Sequence, residues 1–132
     1  MSRLLRLLRL LPWGLSLLVG ALVPAALFAA LEGNWRLFTA AFAVAGLHAL
    51  FFGAPALAVY REHGGSRLLP VLLGGFLIGA LPIGTAMVLG GDMGVGIKVL
   101  LLNLEIVAIG GAFGLLGALA CWLTLFATRQ FR

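Results

Sequence analysis

Two ionisable side chains stand well inside long apolar runs, His48 and Glu105. A charged group at the centre of a membrane helix costs about 2.5–3.5 kcal/mol on insertion scales, so such residues pair, titrate or carry an ion. Histidine titrates near neutrality and burial raises a carboxyl toward the same range, so the two together could bind and release a proton. The runs that hold them point the same way through the bilayer, at depths expected to differ by one or two helical turns. A Glu105–His48 hydrogen bond would then relieve the desolvation of both. The plainer role for His48 is a hydrogen bond between helices, worth well under about 2 kcal/mol in membranes, and the sequence favours that role. For Glu105 the functional and structural readings balance. Lys98 lies two turns outward of Glu105 on the same stripe, about 10 Å along the axis, and softens the local potential without pairing directly. Asn103 points about 160° away from Glu105 on a 3.6-residue helix, toward a neighbouring helix or the headgroups.

Other chemistries find no footing. The stretch GGDMGVGIKV, residues 90–99, has the glycines of a phosphate loop, but Lys98 does not follow a glycine directly and no Ser or Thr comes next. Cys121 is the single cysteine, so no intramolecular disulfide forms, and no His/Cys cluster has metal-ligand spacing. No nucleophile–base–orienter set is present and the loops are too short to build an aqueous active site. The chain is therefore expected to be neither an enzyme nor a carrier of a metal or cofactor.

Small residues form the second informative set. Gly75 and Gly79 are four apart, as are Gly110, Gly114 and Ala118. That spacing lets helix backbones approach closely, more often within one bundle than between copies. Pro24, Pro55 and Pro82 also fall inside apolar runs, where each removes a helical hydrogen bond and introduces a bend.

The elements that must position these residues follow from composition. The chain has 132 residues, 63% of them hydrophobic and 10% charged, with mean hydropathy +1.18. A soluble domain of this size cannot hide so much apolar surface, so the solvent is lipid. Four runs, about 13–31, 37–60, 68–89 and 97–127, are long enough to cross a hydrocarbon core of about 30 Å. The expected fold is an all-α integral membrane protein, a single domain built as a four-helix transmembrane bundle. Before it, residues 2–11 carry Arg3, Arg6 and Arg9 among leucines, the pattern of a short amphipathic helix lying in the interface with its arginines on the headgroups. Pro12 is expected to end that helix or begin the next.

Four spans put both termini on one side. That side carries Arg3, Arg6, Arg9, Arg61, Arg67, Arg129 and Arg132, the other only Arg36 and Lys98. Seven against two makes the termini cytoplasmic, and the arginine-rich composition suits a bacterial inner membrane. The excess of nine basic over four acidic residues reads as topology and contact with anionic lipid, not as a nucleic-acid surface. A weak internal echo links Gly20–Pro24 (GALVP) with Gly79–Pro82 (GALP), as two hairpins repeated in parallel would.

In size and span number the chain resembles the small multidrug resistance transporters, whose hallmark is a glutamate in the first span. Here that span holds only Ser16 as a markedly polar side chain, so the resemblance ends at architecture and no family is assigned. Two functions are expected to compete. One is an accessory or interaction subunit that packs onto itself as a homo-oligomer or onto a larger membrane complex. The other is a small oligomeric proton-linked transporter or channel using Glu105 with His48.

Overall fold

A computed structural model describes residues 3–62, 67–89 and 93–128, and these are helical almost throughout, with no strand among them. Helix α1 spans Arg3–Leu31, α2 Arg36–His48, α3 Ala54–Glu62, α4 Leu68–Leu89, α5 Met93–Leu102 and α6 Leu104–Ala127. A π-helical turn, Ala49–Gly53, joins α2 to α3, so residues 36–62 form one rod. Three stretches are long and apolar enough to cross a membrane: Leu11–Leu31, Arg36–Tyr60 and Leu104–Ala127. The chain is a helical membrane protein.

Two expectations about helix boundaries change. The segment 2–11 is not a separate helix, because α1 runs through Pro12 without a break. A proline removes one backbone bond but does not alter the leucine periodicity on either side, and helices in lipid tolerate it. At 29 residues α1 is about 44 Å long, more than a hydrocarbon core requires. The side chains of Arg3, Arg6 and Arg9 lie outside the described set. The run 97–127 is likewise not one helix. It breaks at Asn103, whose backbone leaves helical values (φ −119°, ψ 27°). At the break Asn103 Nδ2 donates to Val99 O at 2.8 Å, the carbonyl that its own backbone N–H also reaches at 3.1 Å.

The turn between α1 and α2 is built by its own residues. Asn34 N donates to Ala29 O and Gly33 N to Ala30 O, the pair of bonds that closes a helix through a left-handed residue. Gly33 supplies that conformation at φ +63°. Asn34 Oδ1 then accepts from Arg36 N and starts α2. In the rod, the π turn precedes Pro55. Ala54 N reaches back five residues to Ala49 O, so the ladder widens just before the proline that cannot join it.

Helix α6 is the centre of the packing, with α1 on one side and α4 on another. Gly20 faces Gly117 and the Phe28 ring meets Phe113 edge-on at 6.0 Å, so α1 runs antiparallel to α6. Gly75 faces Gly114 and Ala118 while Ile83 reaches Gly110, so α4 is also antiparallel to α6 and parallel to α1. The rod leans chiefly on α1, with Gly53 beside Leu17, and α2 buries none of its residues. At the Tyr60 end, Leu57, Cys121 and Leu125 form a small buried cluster against Trp13 and Leu17, linking rod, α6 and α1.

Candidate functional site: an interhelical cleft

In lipid, helices gain little by hiding apolar side chains from one another, so close backbone approach and dispersion must hold them. The glycines supply that approach. A methyl group at Gly79 would lie 2.2 Å from Gly110 O, and one at Gly114 would lie 2.1 Å from Gly75 O. At Gly75 it would meet Ala118 Cβ at 2.3 Å. The structure thus places Gly75 and Gly79 directly against Gly110, Gly114 and Ala118 within one chain. Spacing alone misses two further contacts: Gly20 and Gly117 against each other, and Gly111 beneath the Phe76 ring. The signal for them was a second small-residue series on α6, Gly117 and Cys121, offset from the first. The two echoed segments also share a use. Gly20 in α1 and Gly79 in α4 both seat on glycines of α6.

Ser16 is fully buried at the α1–α6 contact. Its hydroxyl donates to Trp13 O at 2.8 Å and its side chain also hydrogen-bonds Cys121. A polar side chain that the first span could not expose to lipid is thereby satisfied on both sides.

His48 and Glu105 are not brought together. The contacts of Gly53 with Leu17 and of Gly20 with Gly117 put His48 level with about Leu115. Glu105 stands ten residues up α6, about 15 Å at the helical rise. Its side chain is exposed in the first turn of α6, because the break at Asn103 starts a new helix just before it. The same break removes the continuous stripe from Lys98 to Glu105. His48 Nδ1 donates to Val44 O at 2.8 Å, on its own helix, and its ring lies 6.0 Å from Phe52. Asn103 likewise bonds its own chain and not a neighbouring helix.

What His48 does face is a cleft of about 570 Å³ between the rod and α4, floored by α6 and walled on the third side by α1. The rod presents Ala41, Ala45, Ala49 and Gly53 to it, α4 presents Gly74 and Gly75. These small residues, four apart, are why the space exists: helices whose facing side chains stop at Cβ leave a channel unless they close onto each other. They do not close here. The Tyr60 hydroxyl donates to Arg67 O, tying the end of α3 to the start of α4. Among the lining residues only His48, Tyr60 and the Cys121 thiol interrupt the apolar surface.

Fold and cleft define a helical membrane protein with an apolar lateral cavity. No protein-family model, curated protein or solved structure matches the chain.

Proposed function

We propose that the chain is a small polytopic membrane protein that acts as an accessory or interaction subunit through helix–helix packing. Its four crossings would be α1, the rod 36–62, α4 and α6, with α5 capping α4. The arginine distribution supports cytoplasmic termini and a bacterial inner membrane. The observation that carries the reading is the contrast between α6 and the rod. Glycine contacts lock α1, α4 and α6 backbone to backbone, while α2 buries nothing and the rod turns Leu47, Leu50 and Phe51 outward. A rigid platform bearing one loosely held apolar rod suits lateral docking inside the bilayer, where small interlocking faces create specificity. The transporter reading loses the pairing that motivated it, since Glu105 and His48 lie about 15 Å apart in depth. The cleft also offers no row of oxygen ligands or proton carriers among its lining residues.

Photo-crosslinking in native membranes tests this. A photoreactive residue in place of Phe51 should yield one adduct of defined mass, and one in place of Ile109, exposed on α6, should yield none. Identical lipid-only adducts at both positions would remove the docking role.

A further inference from the structure

The rod carries a correction in its winding. Ala41 and Leu57 are sixteen residues apart, which on an unbroken 3.6-residue helix sets them about 160° apart around the axis. Both nevertheless border the same cleft, as do Ala45 and Tyr60. The π turn Ala49–Gly53 reconciles them. Ala54 N reaches Ala49 O, five residues back, so the turn holds one residue more than an α-turn and takes back about 100°. A wholly α-helical rod of this sequence would turn either Leu57 or the alanines of α2 away from the bundle.

The same turn is the weak point of the rod. Pro55 offers no N–H to the ladder just beyond it, and Gly53 within it has no side chain to stiffen it. The two halves on either side are held differently. Helix α3 is anchored by Leu57, buried with Cys121 and Leu125, and by the Tyr60 hydroxyl on Arg67 O. The π turn is where the rod chiefly approaches α4. Helix α2 lies along α1 but buries no residue on it, and His48 spends its bond within α2. Across the cleft, Gly74 of α4 has open space where a side chain would stand.

We infer that the π turn is a hinge, on which α2 swings across α1 toward and away from α4 while α3 stays fixed. Sharp kinks at π turns and prolines exceed about 20°. Phe51 to Ala43 is eight residues, about 12 Å, so a swing of about 20° displaces Ala43 by about 4 Å. The cleft therefore widens and narrows at its Leu37 end and keeps its width at its Tyr60 end. The hinge stands whether or not the outer face of the rod docks a protein.

The test places pairs of spin labels in the full chain, in a Cys121→Ala background reconstituted into nanodiscs, and reads their distance distributions. Ala43 with Leu81 relates the swinging half to α4, and Ala58 with Leu69 relates the anchored half to it; all four positions are exposed. The first distribution should be about 4 Å broader than the second. Deleting Phe52 together with Pro55→Ala converts the turn to an α-turn and keeps both halves in register. That variant should at least halve the excess breadth. Gly53→Ala is gentler: its methyl group would meet Leu17 Cδ2 at 3.5 Å, an ordinary contact. It should fold and narrow the first distribution alone. Equal breadth at the two pairs in the otherwise unaltered chain would overturn the inference. So would an Ala43–Leu81 distribution that neither variant narrows.

Discussion

Replacing Gly114 by alanine puts a methyl group where the backbone of α4 already lies. The new Cβ would stand 2.1 Å from Gly75 O, 2.9 Å from Gly79 N and 3.0 Å from Gly79 Cα, and all three neighbours are main-chain atoms that cannot rotate aside. Ordinary contact begins at 3.4 Å, so the two helices must part by about 1.3 Å at this point. A radial gap of 0.5–1 Å already forfeits a quarter to a half of the dispersion energy between facing atoms, and no hydrophobic term in lipid compensates. Overpacking of this kind costs about 1–3 kcal/mol, and the rigid neighbours put Gly114→Ala toward the upper end. Gly74→Ala makes the matched control, because it changes the same residue type in the partner helix with open space around it. Relieved of glycine's helix penalty, it should be neutral or stabilise by up to about 1 kcal/mol. Reversible unfolding in mixed micelles, followed by circular dichroism, reads both. If Gly114→Ala and Gly74→Ala differ by less than about 0.5 kcal/mol, α4 and α6 are not held by backbone contact at Gly75 and Gly79, and the packing argument fails.

Gly33→Ala should cost about 1–2 kcal/mol in the same assay, since φ +63° is left-handed, and Gly33→Asn should cost less. Asn103→Leu removes the bond to Val99 O and should let α5 and α6 approach one straight helix. Spin labels at Lys98 and Ala112, in a Cys121→Ala background, would then move out toward about 21 Å, and an unchanged distance would assign the break to another cause. His48→Phe and Glu105→Gln should have additive effects on stability, because sites this far apart couple by no more than about 0.5 kcal/mol. A coupling above about 1 kcal/mol would restore the pair.

The helical class, the approximate spans and the glycine spacing are legible in the sequence because each depends on local pattern. Hydropathy sees Arg36–Tyr60 and Leu11–Leu31 as plainly as the structure does. The misplaced Glu105 shows where pattern stops. A window over 97–127 registers unbroken apolarity, whereas the backbone leaves helical values at the single residue Asn103. His48 misleads in the same way, spending its Nδ1 hydrogen on Val44 O and needing no partner helix for it. Glycine spacing announces close contact but not between which helices, so Gly20 with Gly117 went unseen beside the more regular Gly110 and Gly114. The cleft was hidden most completely. Ala41, Ala45, Ala49 and Gly53 have the spacing of a tightly packed face, and only the tertiary arrangement reveals that they border open space.

The most direct test of an interaction role is purification of the tagged full chain from native membranes in mild detergent, with co-purifying proteins quantified by mass spectrometry. A single partner at fixed stoichiometry, or a defined homo-oligomer, that is lost when Leu47, Leu50 and Phe51 are replaced together by alanine is the predicted result. A monomer that brings only lipid through purification would contradict the account.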